Sequence, residues 1–162
     1  MSESSEIRED FITEMGRVLE NFGLPHMVGR VFSALLIADP PEKTAQELAD
    51  ELQASRGAIS GAIKMLELMQ MIDRKRKPAD RKDYFSVRPN AWSAAFMNEI
   101  MGISLLRKLA EKGLRIINSD DPKVTRGLRD MRDMTAFAEE EFPALWEKWS
   151  KYQEDKKEGE GL

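Results

Sequence analysis

A chain of 162 residues with 41% hydrophobic and 33% charged content has enough apolar material for one core beneath a charged, helix-rich surface. Its formal net charge of −4 argues against a generic nucleic-acid coat, which is basic throughout, but leaves room for a specific binder with a local basic patch. Zero cysteines exclude disulfides and thiolate metal sites, and the acidic start MSESSEIRED and the lack of a membrane-length apolar run point to the cytoplasm and to no membrane partner.

Residues 7–22 read as an amphipathic helix with Phe11, Met15, Val18, Leu19 and Phe22 on one side. Leu24-Pro25 opens a second helix through Val28, Val31, Phe32, Leu35 and Leu36, and Asp39-Pro40-Pro41 ends it. Thr44 with Glu47 has capping-box spacing, so a short helix follows. Its apolar stripe is Ala45, Leu48, Ala49 and Leu52, with Asp50 and Glu51 facing out. Gln53-Ala54 leads to Ser55, a good N-cap for the next helix. There Ile59, Ile63 and Leu66 point inward, with Met69 at the same spacing, while Arg56, Ser60 and Lys64 share another face. Gly57 and Gly61 each cost that helix about 1 kcal/mol relative to Ala. Either this face approaches DNA closely or it makes a tight helix–helix contact.

From Asp73 to Arg88 there are seven basic residues against three acidic ones, an excess of +4. Pro78-Ala79-Asp80 marks a turn, and Tyr84, Phe85 and Val87 suit the returning strand. Helix, turn, helix and basic hairpin is the order of a winged helix-turn-helix. The fold class is therefore mainly α (α+β), with flanking N- and C-terminal helices forming a dimerisation region. Double-stranded DNA is the expected partner. Ser55, Arg56, Gly57, Ser60 and Lys64 are the expected contacts of the second helix. Arg74, Lys75, Arg76, Lys77 and Lys82 are the expected phosphate contacts of the hairpin.

Pro89-Asn90 opens a long helix to about residue 118, which at 1.5 Å per residue spans about 40 Å. Asp121-Pro122 reads as an N-cap and first-turn proline. Beyond it Val124, Leu128, Met131, Thr135, Ala138, Phe142, Leu145, Trp149 and Tyr152 recur at alternating spacings of four and three. Pro143 should kink or break this helix. The stripe predicts a homodimer interface that includes Phe11, Val18, Phe22, Leu128, Met131, Phe142, Leu145 and Trp149; the alternative is a helix packed on its own chain. The organisation predicted is an N-terminal dimerisation helix at 1–24 and the winged helix at 25–89. Long dimerisation helices follow at 90–156, with a flexible tail at 157–162.

The segments SRGAISGAIKMLE and DRKRKPADRKDYFSVRPNAW resemble the MarR superfamily, in particular its GbsR-like branch. The stretch Phe22-Gly23-Leu24-Pro25 to Gly29-Arg30-Val31, followed by Asp39-Pro40-Pro41, fits that branch too. Arg88-Pro89-Asn90-Ala91 and residues 128–133 (LRDMRD) are similar to segments of mycobacterial regulators of membrane exporters. The resemblance covers roughly residues 7–138. It implies a homodimeric cytoplasmic transcription factor, usually a repressor released by a small molecule. It also implies that Asp80-Arg81 is the wing-tip element, with Arg81 entering the minor groove and Asp80 orienting its guanidinium. No single inducer follows from it.

No catalytic constellation, cofactor motif or metal site is visible, so an enzyme is not expected. His26 reads as a capping or packed residue at a helix start. Met15, Met97, Met101 and Met134 are adaptable apolar residues that either fill the core or, with Phe11, line an effector pocket where the dimer region joins the reader. Trp92 and Phe96, one turn apart, would form part of an aromatic box for a quaternary ammonium if the GbsR likeness extends that far; core packing is the plainer reading. The functional alternative to a DNA-binding regulator is a winged-helix protein–protein interaction module without its own DNA site.

Overall fold

The computed structural model describes residues 3–78, 80–117, 119 and 121–160; the helical side chains at 3–4, 94, 98–101 and 157–160 lie outside the description. The elements in chain order are α1 (Glu3–Asn21), α2 (His26–Leu36), β1 (Lys43–Thr44), α3 (Ala45–Leu52) and α4 (Arg56–Leu68). They continue with β2 (Ile72–Arg76), β3 (Asp83–Val87), α5 (Ala91–Ile117) and α6 (Pro122–Glu160). The chain forms two units, residues 1–95 and 96–162. Among the described residues no helix is long and apolar enough to cross a membrane.

In the first unit, capping chemistry sets the boundaries of the reader helices. The Thr44 hydroxyl accepts the Glu47 N–H at 3.2 Å, and the Glu47 carboxylate accepts the Thr44 N–H at 2.6 Å. The Thr44 N–H first, and then the Thr44 hydroxyl, which donates to the same carboxylate oxygen at 2.8 Å, hold the Glu47 carboxyl below its ordinary value. Between the two helices Gln53 adopts the left-handed region at φ 50°, and the Ala54 N–H returns to the Ala49 carbonyl. Ser55 then accepts the Ala58 N–H at 3.2 Å. The antiparallel sheet has the order β1-β3-β2, with Lys75 opposite Tyr84 and Arg74 opposite Phe85.

The core collects Val31, Phe32 and Leu35 of α2, Leu48 of α3, Ile59, Ile63 and Leu66 of α4, and Phe85 of β3. Ala45, expected in the α3 stripe, is exposed, because the first turn of α3 overhangs the core. From α1 the buried residues are Ile12 and Leu19, so this helix packs within the same unit as the reader. Phe11 and Val18 lie on its other, exposed side, with Phe22 exposed just past its end. Glu51 does not face out as expected. It accepts Arg8 Nε at 2.6 Å and lies 3.0 Å from Lys43 Nζ, while Arg8 Nη1 donates to the Ile37 carbonyl at 2.7 Å. His26 neither caps α2 nor packs in the core; its Nδ1 lies 3.0 Å from Glu20 Oε2 at a half-exposed position.

The α1–α2 crossing is a glycine contact. A Cβ on Gly29 would stand 3.1 Å from the Gly16 carbonyl oxygen and 3.3 Å from Leu19 Cβ. Backbone cannot yield there as a flexible side chain would, so Gly29→Ala should cost about 1–3 kcal/mol, read as a lower midpoint in urea denaturation with an unchanged slope.

In the second unit, Asp121 caps α6 by accepting the Lys123 N–H at 2.9 Å. Helix α6 continues through Pro143, so the expected break is absent. Proline removes one backbone hydrogen bond there, and long helical stretches on either side sustain the helix. It also reaches Glu160, so residues 157–160 are helical and not a flexible tail; residues 161–162 lie outside the description. Part of the heptad-like stripe is spent inside the chain. Leu128 packs where Gly113 leaves room, Phe142 meets Phe96 edge-on at 5.7 Å, and Thr135 is buried. Met131 is half-buried. Val124, Leu145, Trp149 and Tyr152 remain exposed, with Trp149 stacked on Tyr152 at 5.7 Å. Arg107 joins Glu139 at 2.6 Å and Glu111 at 3.2 Å.

Candidate nucleic-acid interface

Helix α4 turns Ile59, Ala62, Ile63 and Leu66 into the core. At 100° per residue, the opposite side is centred on Gly57, Gly61 and Lys64, with Arg56 and Ser60 on one flank. All five are exposed. A Cβ on Gly61 would meet nothing within 4 Å, and one on Gly57 would meet only Ser55 Oγ at 4.0 Å. Within this chain neither glycine makes a tight helix contact, so that explanation of the pair fails. What remains is a helix face whose outermost strip carries no side chain at Gly57 and Gly61, about one turn apart, before Lys64. Arg56 and Lys64 have no hydrogen bond or ion pair among the described residues.

A cleft of about 400 Å³ separates this helix from the wing, lined by Ser60, Lys64, Arg74, Lys82, Asp83 and the first turn of α3. The wing is more selective in its charge than its composition suggests. Arg74 is held by Glu67 at 2.9 Å and lies 3.6 Å from Asp83. Arg76 donates to Asp83 at 2.7 Å, a bond that raises the guanidinium pKa and holds the Asp83 carboxyl low. Lys77 pairs with Glu42, which raises the pKa of its ammonium. Arg88 pairs with Asp73 at 2.9 Å. Four of the seven cations are thus engaged by carboxylates. Lys75, Arg81 and Lys82 are exposed, and among the described residues their side chains have no hydrogen bond or ion pair. The expected phosphate set is thereby narrowed, because Arg74, Arg76 and Lys77 already have anionic partners.

Asp80 forms no ion pair with the Arg81 guanidinium among the described residues. Its Oδ2 accepts the Tyr84 hydroxyl at 2.7 Å and its Oδ1 accepts the Lys82 N–H at 3.0 Å, and these two bonds, Tyr84 first, hold its carboxyl below the usual range. Sequence reasoning gave Tyr84 no role beyond strand formation. Glu42 and Glu67, which take up two wing cations, were also missed, because their partners lie 35 and seven residues away and no spacing rule joins them.

The candidate effector residues fall in different surroundings. Met15 is partly buried against the core, Phe11 is exposed, and Trp92 meets Phe32 edge-on at 5.5 Å. Each of Trp92 and Phe96 thus has another aromatic ring for a neighbour. Met97 is half-buried, and the Met101 side chain lies outside the described residues. Among the described residues no group of three or more His, Cys, Asp or Glu side chains is placed to hold a metal ion.

A helix-turn-helix whose second helix is exposed along one open face, beside a hairpin with unpaired cations, defines a winged-helix DNA-binding protein. The MarR family profile matches residues 35–84, and the profile of MmpR5-like MarR family transcriptional regulators matches residues 90–153. The HTH-type transcriptional regulator MmpR5 of Mycobacterium tuberculosis (strain ATCC 25618 / H37Rv) is 38% identical over 130 residues, covering 80% of this chain and 79% of that protein. A crystal structure of a transcriptional regulator is similar at 35% identity and TM-score 0.75, over 89% of this chain and 98% of that one. The chain belongs to the MarR family of transcriptional regulators. That membership makes it a DNA-binding regulator rather than an enzyme, and the reading as an interaction module without a DNA site gives way to it.

Proposed function

We propose that this regulator is a homodimeric repressor that grips a (pseudo)palindromic operator and is released by a small apolar or cationic ligand. The observation that carries the DNA-contact part is the pairing of an open α4 face, with unpaired Arg56 and Lys64, with a wing that keeps Lys75, Arg81 and Lys82 free of carboxylates. Exposed apolar residues on α1 (Phe11, Val18), just past its end (Phe22) and on α6 (Leu145, Trp149) support association of two copies. A symmetric pair of readers calls for a symmetric pair of half-sites. Phe11, Met15, Trp92, Phe96, Met97 and Met101 stand as the candidate effector residues, and the GbsR-like placement rests on the resemblance of the sequence.

Light scattering at micromolar concentration should return about twice the 18.5 kDa chain mass, and a clean monomer would remove the palindrome with the interface. Affinity for a selected duplex should fall linearly with the logarithm of salt, and Lys75→Ala should reduce that slope by about 1 for each phosphate left unneutralised in each bound subunit. An unchanged slope would take Lys75 out of the interface. An effector that releases DNA must bind more weakly when operator is present, by the same factor with which it weakens DNA binding.

A further inference from the structure

The wing tip carries a set of contacts that neither the ion pairs of the strands nor the expected role of Asp80 explains. The turn closes with the Asp80 N–H donating to the Lys77 carbonyl at 3.1 Å. Asp80 then uses one carboxylate oxygen to hold the Lys82 N–H, so the residues on both sides of Arg81 belong to one small bonded ring. Its other oxygen takes the Tyr84 hydroxyl at 2.7 Å from the second residue of β3. The Tyr84 ring lies under the Lys77 ammonium, 4.1 Å from the ring centroid, and that ammonium is tied to Glu42 in the segment before β1. Thr44 of β1, which is buried, pairs with Tyr84 across the sheet. The tip is therefore tied, through Tyr84 and the Lys77 ammonium above its ring, to the segment from Glu42 to Thr44.

We propose that Tyr84 is the positioning residue of the wing, bracing Asp80 so that the Arg81 guanidinium is presented to the minor groove. This rests on the reading of Arg81 as the groove-entering residue. A free turn loses conformational freedom when it enters a groove, and a turn already held in place loses less, so the brace acts on affinity without touching DNA. The hydroxyl is the part that matters: the ring supplies strand propensity and the cation contact, and only the oxygen reaches Asp80.

The test compares Tyr84→Phe, which removes that oxygen and keeps the ring, in the parent and in Arg81→Ala. The probe is a duplex selected from a randomised library by the parent protein, with either A·T or G·C flanks. Tyr84→Phe should weaken binding to the A·T-flanked duplex by about three- to tenfold, the range expected for removal of one hydrogen bond. It should reduce the preference for A·T flanks and leave the salt slope unchanged. In the Arg81→Ala background it should have no further effect, because a residue that acts through Arg81 has nothing left to act on. A merely structural role would give the same loss in both backgrounds and on both flanks, which would overturn the proposal, as would parent-like binding by Tyr84→Phe. A silent Arg81→Ala would instead overturn the groove reading on which the brace depends, so the two failures are told apart.

Discussion

Arg81→Ala is expected to weaken operator binding by at least tenfold and to erase the preference for A·T pairs beside each half-site. A narrow A·T-rich minor groove concentrates negative potential, and an unpaired guanidinium is the group best able to use it. One specific arginine contact is worth about 1–3 kcal/mol, and a symmetric dimer would forfeit it twice. The wing supplies its own controls. Arg76→Ala removes a cation already joined to Asp83 at 2.7 Å, so its effect should be much smaller than that of Arg81→Ala. Lys82→Ala should reduce the salt slope without changing flank preference. Fluorescence anisotropy with labelled duplexes across a salt series reads all of these. Equal losses for Arg76 and Arg81 would mean that the ion pairs of the wing open on binding and that composition, not geometry, sets its strength.

The second large effect is expected at Gly61, where stability and function should move in opposite directions. A methyl group there meets nothing within 4 Å, and alanine is the better helix former, so Gly61→Ala should stabilise the fold by about 0.5–1 kcal/mol. The same methyl stands on the outermost strip of α4, between that helix and any groove it enters. Binding should weaken severalfold or more while the melting temperature rises. Gly57→Ala should behave alike, with Ser55 Oγ its single near neighbour. Gly29→Ala is the internal contrast, since its methyl would meet backbone and lower stability directly. A Gly61→Ala protein that is more stable and binds DNA as well as the parent would show that α4 does not approach DNA along this strip.

The reader was legible where local chemistry decides. The Thr44–Glu47 box, the Ser55 cap and the inward spacing of Ile59, Ile63 and Leu66 depend on residues within a turn or two, and all stand as read. What escaped was set by distant neighbours. β1 is two residues long, too short to show alternation, and exists because β3 offers it an edge. The basic count of the hairpin was visible, but not which cations were spoken for, because Glu42 and Glu67 come from other elements. The glycine pairs illustrate the same limit. Gly16 and Gly29, thirteen residues apart, form a packing contact that no spacing marks, while the Gly57–Gly61 pair, at helical spacing, faces open space. Along α6 the four–three spacing identified an apolar stripe correctly but not how it is shared between its own chain and the exterior.

The Arg8 junction bears on how a signal would travel. Arg8 sits on α1, grips the end of α2 through the Ile37 carbonyl, and reaches Glu51 near the end of α3, while the Gly16–Gly29 crossing leaves no slack between the first two helices. The same α1 exposes Ile7, Phe11 and Val18 along one flank, with Phe22 exposed just past its end. In a dimer seated on that side, α1 would work as a strut with no backlash: its grip on the partner and its grip on the reader would be two faces of one stiff member. Spacing between half-sites would then be gauged by beam length and angle, and small torques at the seam would reach α2 and α3, against which the recognition helix packs.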